Sequence, residues 1–237
     1  MTSIVDLANV TFRYRRPPVT VFEGLTLGFA AGQITCVLGH NGAGKTTLLK
    51  LIYGLLRPQS GHIAITGDLV PSYTDIFFLS ERFGINQELS LRQNLAFRCR
   101  LLHRDPAAVM AHPLIRQFKL TKQLDLPTGK LSSGTFTRAN LVAGLILGPS
   151  LLMLDEPTSS VDPATRELLL LTLRDQRTAS ASVILVTHDL DFAYALGDRL
   201  LVIDQGEVVV DDPDPRRQDV DSFRRQYIQF TGEPEQS

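Results

Sequence analysis

Three hydrophobic rhythms follow one another along this chain. Over Ile4 to Val10, Thr26 to Phe29 and Gln33 to Leu38, apolar residues alternate or run together in short stretches, with Gly32 and Gly39 as punctuation. That pattern predicts strands separated by turns. A helix is predicted from Lys45 to Tyr53, closed by Gly54 and Pro58, and short strands near His62 to Ile65 and Ile76 to Leu79. From about Ser90 to Leu147 the period becomes helical. Ser90 suits the N-cap of "LRQNLAFRCRLL", Pro106 opens a second helix, and Ser132 or Ser133 can cap a third that reaches Leu147. Strand and helix then alternate again. "LLMLD" precedes a helix opened by Pro163, "SVILVT" precedes one from Asp189, and "RLLVIDQGEVVV" predicts a hairpin turning at Gln205-Gly206.

Alternating apolar strands and helices imply an α/β fold with a mostly parallel sheet and helices on both faces. Residues 82–150 read as an all-helical insertion, between core segments 1–81 and 151–237. The segment from Asp211 to Ser237, with "DDPD" and "RRQ", reads as a solvated tail with a short helix. Composition changes this picture little: 237 residues, 43% apolar and 21% charged, suit a globular domain with a sizeable core. A net charge of −1 argues against nucleic acid as a partner, since that needs a basic face to displace counterions. The longest apolar region, Leu141 to Leu154, is broken by Gly144, Gly148, Pro149 and Ser150, short of the ~20 apolar residues that span a bilayer. "MTSIVDLANV" has no basic leader and is interrupted by Asp6, so no secretion signal is expected. Cys36 and Cys99 read as packing residues. The chain is expected to be cytosolic.

Two stretches carry chemistry. "GHNGAGKTT", Gly39 to Thr47, follows a strand-like run and precedes a helix. It fits G-x-x-x-x-G-K-[ST] with Gly39, Gly44, Lys45 and Thr46. Backbone N–H groups of such a loop (His40, Asn41, Gly42, Ala43, Thr47) converge on phosphate oxygens, and the following helix aims its positive end at the same place. Lys45 would reach the β- and γ-phosphates and Thr46 would give its hydroxyl oxygen to Mg²⁺. A nucleoside triphosphate is therefore expected. In "LLMLDEP", an apolar strand delivers Asp155 to the sheet edge, where it can hold Mg²⁺ through water. Glu156 is placed to orient or deprotonate an attacking water. His40, His62, His103 and His112 show no metal-ligand spacing.

"GHNGAGKTT", "LSSGT", "LLMLDEPTSSVD" and "VTHD" occur in the order and spacing of an ATP-binding-cassette ATPase, and nearly the whole chain resembles that family. The resemblance implies a P-loop core with an antiparallel β subdomain at its N-terminus and a helical subdomain carrying the signature, here Leu131 to Thr135. It implies ATP and Mg²⁺ as cofactors. Ser132, Ser133 and Gly134 would cap the γ-phosphate of ATP bound to another subunit, with the helix dipole assisting. His188 would contact the γ-phosphate, Ser159 to Asp162 would link the two sites across a dimer, and Tyr14 would stack on adenine.

Two positions depart from the family pattern. Glu81 aligns where the family carries a Mg²⁺-touching glutamine, with Gln87 as a competing candidate, and Ser133 and Thr135 replace a glycine and a glutamine. The resemblance implies an ATP-hydrolysing transporter subunit on the cytoplasmic face of a membrane. Its partners would be a separate permease, docked around Phe78 to Leu95, and a second ATPase subunit of the same or another kind. Export is the expected direction. The alternatives are a soluble ATPase with a non-membrane partner and a regulatory module without turnover.

Overall fold

The protein is seen in a computed structural model that describes residues 2–66, 75–80, 83–178 and 181–232. Strands β1 (Ser3–Arg15) and β2 (Pro18–Ala30) form a long antiparallel hairpin, and β4 (Ser60–Ile65) pairs with the other edge of β1. Both hairpin strands outrun the expected Ile4 to Val10 and Thr26 to Phe29. The extension carries Arg13, Arg15 and Glu23 on its solvent side, and these charged residues hide the strand signal while Phe12 and Phe22 stay buried opposite each other.

The second sheet has six strands in the order β5 (Ile76–Leu79), β6 (Leu151–Asp155), β7 (Ser182–Val186), β3 (Ile34–Leu38), β8 (Arg199–Asp204) and β9 (Glu207–Asp212). All neighbours are parallel except β8 and β9, whose turn at Gln205 and Gly206 has positive φ at both residues, as a two-residue hairpin requires. The parallel strands are buried on both faces, which explains their unbroken apolar runs.

The two faces bury different partners. On one, Val37, Met153, Ile184 and Leu201 pack with α1 (Lys45–Ile52) and the antiparallel sheet through Leu48, Leu49, Phe22 and Phe29. On the other, Cys36, Leu152, Leu154 and Leu185 pack with α5 (Ser133–Ile146), α6 (Pro163–Thr178), α7 (Leu190–Leu196) and α8 (Val220–Thr231). Helices therefore lie on both faces as expected, with α1 sharing its face with the three-stranded antiparallel sheet.

Between β5 and β6 lie α2 (Leu91–Leu101), α3 (Pro106–Met110), α4 (Pro113–Gln117) and α5, with no strand among the described residues there. Ser90 closes a capping box with Gln93 at the head of α2. His112 caps α4, a helix too short to leave a periodic trace in sequence. The expected solvated tail is also corrected. Asp219 caps α8, whose Phe223 and Tyr227, one turn apart, are buried at 0% and 6% exposure. The flanking charges mask this apolar stripe in sequence. Both cysteines are buried and free, and burial pushes the Cys36 thiol far above its usual range.

Candidate functional site

The phosphate-loop segment leaves β3 at Gly39, whose φ of +149° and close approach to the Ile203 carbonyl leave no room for a side chain; a Cβ there would lie 2.2 Å from that oxygen. Helix α1 begins at Lys45 with no side chain capping it and no acid in its first turn, so its positive end is undiluted. The Lys45 ammonium donates to the carbonyls of Gly39 and His40, which holds the turn closed around it. His40 lies with Nε2 2.7 Å from Asp204 Oδ1 and Nδ1 2.7 Å from the Asn41 carbonyl. Facing two acceptors, both nitrogens can donate only when the ring is cationic. Asp204 at the end of β8 thereby ties the loop to the neighbouring strand, a partner that sequence spacing gives no sign of.

Thr46 Oγ donates to Asp155 Oδ1 at 2.9 Å, which brings the two expected metal-holding residues together from α1 and β6. Burial raises the Asp155 pKa above the ordinary carboxylate range, outweighing the lowering effect of the Thr46 bond. A desolvated carboxylate beside a hydroxyl oxygen offers the hard donors that Mg²⁺ takes, so the residues fit that ion. Among the described residues no group of three or more His, Cys, Asp and Glu forms a cage.

Glu156 leaves the strand with φ of +50°, costly for a residue with a Cβ, while its N–H still donates to the Val186 carbonyl at 2.9 Å. This twist turns the carboxylate toward the end of β7, where His188 Nδ1 donates to Oε2 at 2.9 Å. Asp189, next in sequence, caps α7 and receives a two-pronged bond from Arg166 at 2.8 and 3.0 Å. Sequence reading missed Arg166; its only signal is an Arg one helical turn after Asp162.

Two clefts meet at Thr46 and Glu156, which line both. One, of about 430 Å³, is walled by Tyr14, Val19 and the 41–47 turn. Tyr14 reaches Thr47 through its hydroxyl at 3.2 Å and meets Phe12 edge to face. The other, of about 510 Å³, is bounded by Ser80, Ser133, Thr137, Asn140, Asp155 and Ser160. Ser132 stands at the N-cap of α5, but its hydroxyl donates to Thr135 Oγ at 2.9 Å in place of capping a backbone N–H. A Cβ on Gly134 would meet the Ser160 carbonyl at 2.9 Å, and Thr137 bonds Ser160 at 2.9 Å, so α5 is seated on the turn after β6. Asp162 is occupied too. It caps α6 through Thr165, whose backbone and hydroxyl bonds hold its carboxyl below the usual range, and pairs with Arg138 at 3.3 Å.

Glu81 lies outside the described residues. Gln87 is exposed, lines neither cleft, and its carbonyl accepts from Gly129 at 2.8 Å.

A family model described as "ABC transporter" matches residues 22–159. The Nod factor export ATP-binding protein I of Burkholderia orbicola (strain AU 1054) is 33% identical over 216 residues, covering 87% of this chain and 70% of its own. The energy-coupling factor transporter ATP-binding protein EcfA1 of Mycoplasma mobile is 33% identical over 219 residues, covering 88% and 79%. Among solved structures, the dimeric post-hydrolysis state of the ATP-binding cassette MJ0796 bound to ADP and Pi superposes with a TM-score of 0.76 at 23% identity, over 88% of this chain and 97% of that one.

Proposed function

The chain belongs to the ABC transporter family, and from that premise we propose that it is the ATP-hydrolysing subunit of a transporter whose membrane path lies in another polypeptide. One observation carries the reading: Thr46 bonds Asp155 and Glu156 bonds His188, and Thr46 and Glu156, one from each pair, line both clefts beside the Lys45 turn. A cation held by the oxygens of the first pair would lie next to the Glu156 carboxylate, which can act on water.

The backbone of Gly39 to Thr47 and the Lys45 ammonium bind the phosphate tail, and Tyr14 offers its ring to the base. Thr46 and Asp155 would hold Mg²⁺, which would supply positive charge to offset that of the phosphate tail. Glu156 orients a water and takes its proton as the water oxygen bonds to the γ-phosphorus. The bond from that phosphorus to the β–γ bridging oxygen breaks, and its electron pair leaves with ADP. His188, with Nδ1 committed to Glu156, presents Nε2 to the transferred group.

The mechanism needs two subunits, head to tail, each supplying Ser132, Ser133 and Gly134 of α5 to the nucleotide on the other. The dimeric state of the MJ0796 cassette supports this pairing. Among the described residues no helix is long and apolar enough to cross a membrane. The likeness to transporter ATP-binding proteins supports a separate permease, which by the family resemblance would dock around Phe78 to Leu95. The chain then works at the cytoplasmic face. Its likeness to a Nod factor export protein favours export.

The test is phosphate release from Mg-ATP by the purified chain and its Glu156→Gln variant. Turnover should fall by about 10²- to 10⁴-fold with nucleotide affinity kept. Release at the parental rate would remove Glu156 from the chemistry. Recovery of a polytopic membrane protein with the tagged chain tests the permease half.

A further inference from the structure

Asn140 is buried at 2% exposure in the middle of α5, on the helix face that also lines the cleft through Ser133, Phe136 and Thr137. A buried amide there is costly unless each of its groups finds a partner. Its Oδ1 accepts the Ile85 N–H at 3.0 Å, and its Nδ2 donates to the Phe83 carbonyl at 3.3 Å. One side chain thus holds both flanks of Gly84. That glycine has φ of +138°, and a Cβ on it would lie 1.9 Å from Asn140 Oδ1, so chain and amide are fitted to each other. The Phe83 carbonyl also accepts the N–H of Ser80, the residue that follows β5 and lines the same cleft as Thr46, Asp155 and Glu156. An unbroken set of hydrogen bonds therefore runs from α5 through residues 83–85 to the cleft wall.

We propose that Asn140 is a positioning residue for hydrolysis: it fixes the cleft wall at Ser80 and Phe83 to the helix that begins with Ser133. This rests on the proposed ATPase reading. Asn140 lines the cleft on the Asp155 side and not the cleft of Tyr14 and Lys45, so its loss should slow turnover without loosening the nucleotide. Cavity-lining polar residues that only support the fold lack this separation between turnover and binding.

The test compares the parent chain with Asn140→Ala and Asn140→Asp in Mg-ATP hydrolysis, with backbone hydrogen exchange read in parallel. Asn140→Ala removes both bonds, and kcat should fall about tenfold while KM for Mg-ATP stays within about twofold. Exchange at Ile85 should accelerate, with the amides of β6 and β7 unchanged. Asn140→Asp keeps the acceptor for Ile85 but sets an oxygen against the Phe83 carbonyl, so its kcat should fall between the other two; it carries the test if the alanine variant does not fold. An unchanged kcat, or kcat and KM moving together with exchange across the whole sheet, overturns the proposal. If the parent itself releases no phosphate, the ATPase reading fails, and exchange at Ile85 alone then decides whether Asn140 holds the loop.

Discussion

At Asp155 the requirements of folding and of the proposed cation binding oppose each other. Burial makes the carboxylate harder to ionise, and the Thr46 hydroxyl offsets this only in part. With the folded pKa above the unfolded one, the native state holds the proton more tightly. The penalty is absent below about 3.8, the unfolded value, and grows as pH rises through the folded pKa. Asp155→Asn should therefore melt higher than the parent at neutral pH without nucleotide, and this advantage should vanish toward acid. Adding Mg-ATP should reverse the order, because only the carboxylate gains from the cation. Thermal melts across pH, with and without Mg-ATP, check both. Asp155 and Glu156 were legible as candidates because they follow an apolar run, whereas His188 was singled out by the family resemblance. The positive φ of Glu156, which decides where its carboxylate goes, was not legible: alternation along a strand says nothing of the residue after its end.

Elements whose signal is a period were read well, and those whose signal is a surface were not. The buried parallel strands and α1 lie within a residue or so of expectation, because short continuous apolar runs bounded by glycine, proline or polar residues admit few readings. A short helix was expected where α8 lies, but its burial was obscured because its few apolar residues stand among aspartates and arginines. It is part of the core: Phe223 is fully buried and its ring centroid lies 6.5 Å from that of Tyr194 on α7. Phe223→Ala should cost about 3–5 kcal/mol, measured by urea unfolding, where a solvated tail would cost almost nothing. The Arg166–Asp189 contact belongs to this scale as well, since it joins α6, which starts at the Asp162 turn, to the residue beside His188.

At the scale of the molecule, the proposed cycle makes the signature residues of α5 act on a second subunit. Ser133 should then matter for assembly and little for nucleotide binding by one chain. In the Glu156→Gln background, Mg-ATP should double the mass seen by light scattering. Adding Ser133→Glu should return it to one chain with ATP affinity unchanged, because a carboxylate would face the partner's γ-phosphate; a dimer that persists would place the interface elsewhere. The sequence alone determined which residues begin helices, which runs must be buried, and where a phosphate-binding turn sits between strand and helix. These follow from local sterics and from the period of apolar residues, both written in neighbouring positions. Tertiary structure decided what those residues face: Asp204 against His40, Asn140 across Gly84, α8 against the sheet. Such pairings are set by how distant segments pack, and no spacing along the chain encodes them.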